Sequence, residues 1–359
     1  MAPSGHSAEN AIPCENLPGA IHKKKVAIMG VIDFDKLFAQ FNGIKVGVIG
    51  DVMLDTYWWG HVDRISPEAP VPVVALDKRE FRIGGAGNVA LNLVSLGAQV
   101  TALSVTGKDD DGQLLKKLFE DFNISTKYLL QSGSRITTNK VRIISRNQQM
   151  MRLDSETTKD LSSEDEQTLL DQVEQYIIQE KPQAIVLEDY NKGVLTEKVI
   201  KAVIALCKQY QVITTVDPKR KNFFAYEGVD IFKPNMKEVK DGLNLLLEEV
   251  NMEALTDIHR QLEDKLHHHI SFITLSEKGV FYHNHETSRI IPSHLRNIAD
   301  VSGAGDTVIA VASLIYTATK SIDLMAEVAN IAGGLVCEEV GTVAINKEKL
   351  LHECKLLLQ

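Results

Sequence analysis

Cysteine is scarce in this chain. Its four cysteines, Cys14, Cys207, Cys337 and Cys354, are scattered with no metal-ligand spacing, which suits a reducing compartment better than a disulfide framework. No stretch approaches the roughly 18–20 apolar residues that span a bilayer. Residues 1–25 lack the charged-then-apolar order of a signal peptide. The expectation is therefore a cytoplasmic protein whose N-terminal residues, 1–37, form an extension outside the fold. A net charge of −9 argues against general binding to nucleic acid or anionic membrane, while leaving room for a local basic pocket. Two phosphate-binding fingerprints are also missing. There is no G-x-G-x-x-G after a strand and no G-x-x-x-x-G-K-[ST], so a nucleotide would need another kind of site. No internal repeat or low-complexity tract is present.

What is present is an ordinary globular balance, 44% hydrophobic and 24% charged over 359 residues, enough for one large α/β domain or two smaller ones. Short apolar runs alternate with helix-length amphipathic segments. The runs are 45–51, 99–109, 183–189, 211–217, 230–235 and 271–279; the helical segments include 86–98, 163–180 and 195–210. This is the pattern of a parallel sheet flanked by helices. The runs turn polar at their C-terminal ends: Asp51, Asp109, Asp189, Asp217, Asn235 and Ser276. One such residue is most simply a helix cap. A row of them marks a ligand site, because open parallel sheets bind outside the carboxyl ends of their strands. Segments 56–82 and 135–154 break the alternation, reading as strand-rich with no helix between strands. They form either surface hairpins or a small sheet acting as a lid over the strand ends.

The stretch "DVSGAGDTV" (300–308) precedes the helix-like "IAVASLIY". Gly303 and Gly305 permit a tight turn and close ligand approach. The free N–H groups of the helix start favour an anion, and Asp306 sits where it can accept a proton. Read locally, the same residues are equally a Gly-rich turn with a carboxylate in the first helical turn.

Taken with "RIGGAGNVALNLVSLGA" (82–98) and "KPNMKE" (233–238), this stretch resembles the signatures of the ribokinase-like, or PfkB, carbohydrate kinases. The resemblance covers residues 38–357 and implies a three-layer α/β/α domain with a mainly parallel central sheet. A β-sheet lid would be built from about 56–82 and 135–154. The longer stretches "GDVMLDTYWWGHVDRISPEAPVPVV" (50–74), "SRNQQMMRLDSE" (145–156), "DYNKGVL" (189–195) and "VDPK" (216–219) are similar to bacterial heptose-7-phosphate kinases of lipopolysaccharide core synthesis. The implied reaction is ATP-dependent phosphorylation of the anomeric hydroxyl of D-glycero-β-D-manno-heptose 7-phosphate. The alternatives are another sugar or sugar phosphate, such as fructose 6-phosphate, or a non-catalytic sugar-binding homologue. A dinucleotide-dependent oxidoreductase lacks its fingerprint.

The resemblance implies Asp306 as general base, with the N–H groups of Gly303, Ala304 and Gly305 holding the developing charge. It implies ATP and Mg²⁺ as cofactors. Asn235, Met236, Lys237, Glu238, Ser276 and Asn330 would lie on the nucleotide side, with Glu238 reaching the metal through water. On the sugar side, Asp51, Asp55, Gly84, Gly85, Asn88 and Asp189 would meet hydroxyls. The acceptor's own phosphate calls for cations among Lys140, Arg142, Arg146, Arg152, Lys192 and Lys219. Exposed lid strands suggest a homodimer. Trp58 and Trp59 serve packing, the sugar pocket or the partner subunit, and "HHH" (267–269) is most simply a polar turn. Arg220 and "ITLSEKG" (273–279) depart from the usual family pattern, and the N-terminal extension has no assigned role. Some heptose kinases are fused to a nucleotidylyltransferase. No H-x-G-H element occurs here, so that activity is expected to be absent or encoded separately.

Overall fold

The apolar runs become the strands of a parallel sheet. The computed structural model describes residues 32–146, 148–246 and 249–358, and those from Asp33 onward belong to one contact unit. The expected extension lies outside the described residues as far as position 31. Its expected end at residue 37 does not hold. Helix α1 (Phe34–Gln40) is already folded, capped by Asp33 and burying Phe34, Leu37 and Phe38.

Strand β1 (Lys45–Gly50) opens the sheet and leads through Asp51 into the hairpin β2 (Val52–Ile65) and β3 (Pro72–Gly85). Helix α2 (Ala86–Leu96), β4 (Gln99–Gly107), α3 (Asp110–Asp121) and β5 (Leu129–Ser132) follow, then β6 (Thr138–Ser145) and β7 (Gln148–Ser155). The chain continues through α4 (Ser163–Glu180), β8 (Ala184–Glu188), α5 (Glu197–Tyr210), β9 (Ile213–Asp217), β10 (Ile231–Phe232) and α6 (Met236–Leu243). It finishes with α7 (Met252–Leu266), β11 (Ile270–Thr274), β12 (Val280–His283), β13 (Ser288–Ile291), α8 (Ala304–Thr319), α9 (Ile322–Val336) and α10 (Lys347–Leu358).

Among the described residues these strands make two sheets. The larger has the order β13-β12-β11-β10-β9-β8-β1-β4-β5. Its pairings are parallel from β5 through β11, and β12 and β13 add an antiparallel edge. Side chains alternate across it. Ile49, Leu103, Leu187 and Val216 join a core with residues of α4, α5 and α7. Helices α2 and α8 pack on the sheet with apolar faces of their own, and α9 packs on α8. The result is the expected three-layer α/β/α architecture. Its register aligns Gly50 with Glu188 and Glu188 with Asp217, which brings the polar strand ends to one edge.

The smaller sheet, β3-β2-β6-β7, rises from that edge. Its β2 pairs antiparallel with β3 and parallel with β6, and Gly85 runs directly into α2. The segments without intervening helices thus do form a separate sheet. Two expectations change. Asp109 is an N-cap of α3, accepting from Gly112 N at 2.7 Å and from Thr137. The His267–His269 stretch is not a plain polar turn. His267 ends α7 in a left-handed conformation, and buried His268 pairs through Nε2 with Ser271 Oγ at 2.6 Å.

Candidate active site

Helix α8 begins where its glycines allow. Gly303, the residue before the first helical position, has φ 77°, and a Cβ there would lie 2.8 Å from Asn88 Nδ2. Only a residue without a side chain fits this left-handed turn beside Asn88. Three residues on, the Asp306 carboxylate is buried yet held from both sides. Asn88 Nδ2 donates to Oδ2 at 2.7 Å and Tyr190 Oη donates to Oδ1 at 2.7 Å. Burial pushes its pKa up to about 6, against the pull of those two donors; Asp217 raises it further and Lys233 lowers it. Such a carboxylate can take a proton near neutral pH. One expected donor is otherwise engaged: Ala304 N–H turns back to Val301 O at 3.3 Å.

Beside Asp306 stands an array of acids and lysines. Lys233 Nζ meets Asp217 Oδ2 at 2.7 Å, and Lys219 Nζ bridges Asp217 Oδ1 at 3.1 Å and Glu238 Oε1 at 2.7 Å. Burial would raise Asp217, but Lys219 and Lys233 outweigh it and hold its pKa below the usual carboxylate range. Glu188 is the opposite case. It is fully buried with neither carboxylate oxygen hydrogen-bonded, and burial together with Asp217 and Asp306 drives its pKa well up. With both Asp217 oxygens taken by lysines, Glu188 is the carboxylate of this array whose oxygens are left for a cation, and magnesium needs only one or two carboxylates when water and phosphate complete its shell.

The Asn235-x-x-Glu238 element has a local structural use. Asn235 Oδ1 accepts from Glu238 N at 2.9 Å and Glu238 Oε2 accepts from Asn235 N at 2.8 Å, a capping box at the start of α6. With Oε1 on Lys219, Glu238 is engaged at both oxygens, less free for a metal-bound water than expected. Met236 packs toward the core, and Lys237 is exposed. Ser276 is exposed in the turn after β11 with φ 57°, and Asn330 Nδ2 ties down Pro292 O at 2.8 Å.

The sugar-side expectations divide. Asp51 is not free for a hydroxyl. Its buried carboxylate accepts the backbone N–H groups of Tyr190 and Lys192 at 2.9 Å and Val194 at 3.0 Å, organising the loop after β8. Asp189 also turns inward, to Asn191 N at 2.7 Å and Tyr226 Oη at 2.9 Å; burial, then Asp51, raise it to about 6. Asp55 and Arg142, expected as separate ligands, form an ion pair at 2.5 Å. A Cβ at Gly84 would come within 2.2 Å of Asp55 Oδ2, and one at Gly85, where φ is 60°, within 2.3 Å of Asp51 O. The glycine pair therefore makes room for these two acids. Lys192 meets Glu156 at 2.7 Å, Arg152 grips Asp154 at 2.9 Å, and exposed Arg146 lies 3.8 Å from Asp63. Among the described residues Lys140 alone of the expected lid cations has no ion pair. Trp58 lies under Arg79 at 5.2 Å, and Trp59 stacks on Tyr57.

Sequence reasoning missed Glu188, Tyr190 and Lys233 as members of the site. It also missed Arg82, whose guanidinium lies 4.8 Å from the Tyr57 ring, with Arg142 at 5.2 Å from the same ring. Arg82 Nη1 reaches Thr342 O at 3.3 Å, joining the small sheet to the loop beside Gly303.

Comparison with known proteins agrees with this arrangement. The pfkB family carbohydrate kinase profile matches residues 44–349. The bifunctional protein HldE of Syntrophotalea carbinolica is 37% identical over 325 residues, covering 89% of this chain and 65% of that protein. HldE of Methylobacillus flagellatus is 39% identical over 306 residues, covering 85% and 62%. The chain thus spans slightly less than two thirds of the length of these relatives. Among solved structures, Escherichia coli phosphofructokinase-2 in complex with potassium superposes with a TM-score of 0.73 at 17% identity, over 88% of this chain and 99% of that one. Arabidopsis thaliana ribokinase complexed with ribose and ATP gives 0.66 at 18% identity, over 86% and 98%. The structural likenesses speak for the fold, and the sequence matches for descent: this chain belongs to the pfkB family of carbohydrate kinases.

Proposed function

We propose that the protein transfers the γ-phosphoryl group of ATP to the anomeric hydroxyl of D-glycero-β-D-manno-heptose 7-phosphate, forming the 1,7-bisphosphate. The observation that carries the reaction class is Asp306, a buried carboxylate held by Asn88 and Tyr190 at the start of α8. The sugar hydroxyl gives its proton to Asp306 as its oxygen bonds to the γ-phosphorus. The bond from that phosphorus to the ADP oxygen breaks, and ADP leaves. Phosphoryl transfer asks mainly for positioning and charge stabilisation. Gly303 and Gly305 N–H groups and the α8 dipole supply the latter. Mg²⁺, arriving with ATP and held by Glu188, whose two oxygens have no partner among the described residues, would neutralise phosphate charge.

The small sheet covers the strand ends as a lid, within a kinase domain that begins with α1 at Phe34. Its Asp55 meets the sugar hydroxyls. Lys140, free of an ion pair among the described residues, and Arg142 are the lid cations best disposed to the acceptor's phosphate. The heptose assignment rests on the lid and strand-end stretches quoted above and on the 35–39% identity to the bifunctional relatives. A homodimer through the lid is supported by exposed Ile65, Met151 and Leu153 on its strands. No helix among the described residues is long and apolar enough to cross a membrane. The test is ADP release with a panel of sugar phosphates. Heptose 7-phosphate is expected to give the highest kcat/KM; a higher value for fructose 6-phosphate overturns the sugar, and no turnover with any member overturns the kinase.

A further inference from the structure

We propose that Tyr190 is a positioning residue for Asp306: its hydroxyl fixes the carboxylate in the reactive orientation and keeps it ionised. The inference rests on Asp306 being the base, as proposed above. The loop that carries Tyr190 is built for placement. Asp51 gathers three of its backbone N–H groups, including that of Tyr190 itself at 2.9 Å. Asn191 and Gly193 turn it through positive φ, 55° and 90°, and Asp189 fastens Asn191 N at 2.7 Å. The tyrosine ring that results is partly buried, with Lys219 Nζ 5.6 Å from its centroid and its hydroxyl on Asp306 Oδ1.

Asp306 needs such a donor because of what else faces it. Burial opposes its ionisation most, and Asp217 from the end of β9 adds to it. The groups that favour ionisation are Asn88 from α2, Tyr190, and Lys233 just after β10; Lys219 is drawn to Asp217 and Glu238. A carboxylate accepts at about four positions, so Asn88 and Tyr190 leave room for the acceptor hydroxyl. Together they stop the side chain from turning away. Tyr190 in turn has no other hydrogen-bond partner for its hydroxyl than Asp306 among the described residues.

The experiment is the pH profile of kcat/KM for wild type, Tyr190→Phe and Asp306→Asn, with 3,5-difluorotyrosine at position 190 as a fourth form. Wild type should rise to a plateau through about pH 6, where Asp306 ionises. Tyr190→Phe should move that limb up by about one unit, a tenfold loss on the acid side that shrinks at high pH. Difluorotyrosine, a stronger donor, should move it the other way. Circular dichroism melts of each form establish that it is folded. A limb that stays put in Tyr190→Phe, with activity lowered equally at all pH, overturns the positioning role. If Asp306→Asn is as active as wild type, the base assignment itself falls, and the inference with it. A Phe variant equal to wild type beside an inactive Asn variant refutes the inference alone.

Discussion

Lys233 is where a single substitution should reveal how the site is held together. Its side chain is 2% exposed, and Nζ lies 2.7 Å from Asp217 Oδ2. At an effective dielectric of about 20, two unit charges at that separation attract by roughly 6 kcal/mol, much of it offset by desolvation. Removing one partner of a buried pair costs about 3–5 kcal/mol because the other charge is stranded. Here Lys219 remains 3.1 Å from the other Asp217 oxygen. Lys233→Met, which keeps most of the volume, should therefore cost about 3 kcal/mol at pH 8 by urea denaturation, the low end of that range.

The cost should also depend on pH in a defined direction. Burial would raise Asp217, and Lys219 and Lys233 overcome it, so its folded pKa lies below the unfolded one. The stability this contributes is present above the unfolded carboxylate value of about 4 and is lost as pH falls through the folded value. With Lys233 gone, the Asp217 pKa rises and the stranded carboxylate can take up a proton in mild acid. The penalty at pH 5 should then be smaller than at pH 8. The double variant Asp217→Asn, Lys233→Met should cost less than the sum of the single variants by about 1 kcal/mol or more. A Lys233→Met cost below about 1 kcal/mol, or one unchanged between the two pH values, would refute the reasoning.

Other expectations follow from the same geometry. Gly85→Ala forces a Cβ to 2.3 Å from Asp51 O at φ 60°, and should cost about 3 kcal/mol or more in chemical denaturation while moving α2 and Asn88. His259 and His268 are held neutral, mainly by burial and then by neighbouring histidines, at about 3 and about 4. Their folded values lie below the unfolded value near 6.5, so the stability they contribute is full above that pH and is lost as pH falls toward 4. His259→Gln should flatten the decline of unfolding free energy between pH 6.5 and 4.5, and an unchanged slope would exclude the histidine cluster as its source.

Much of this architecture was legible in the sequence for a physical reason. A parallel sheet buried on both faces writes itself as continuous apolar runs, and its ligand edge writes itself as polar run ends. Asp306 was left open by its local sequence, which suits a first-turn carboxylate as well as a base, and only the resemblance to the PfkB kinases singled it out. The phase at strand ends could not be read. In "LEDY" (187–190), it is Glu188, in register with Asp217, that stays unpaired at the edge, whereas Asp189 turns back to Tyr226. Adjacent residues point to opposite sides, and sequence does not say which side faces the ligand. Pairing across distance was hidden for a similar reason. Asp55 and Arg142 look like independent ligands until β2 and β6 are known to be parallel neighbours. Asp51 looks like a free strand-end acid until the loop at 190–194 folds back onto it. The short β12 and β13 gave no signal of their own, being strands of only four residues each.

The central claim is that Asp306 removes the proton from the attacking hydroxyl. The measurement that tests it most directly is single-turnover phosphoryl transfer from ATP to heptose 7-phosphate by Asp306→Asn, with ATP affinity measured in parallel. The account predicts a loss of about 10²–10⁴ in the transfer rate, with ATP affinity close to wild type because Asp306 faces the acceptor. A transfer rate within a few fold of wild type, in a variant shown to be folded, would contradict it.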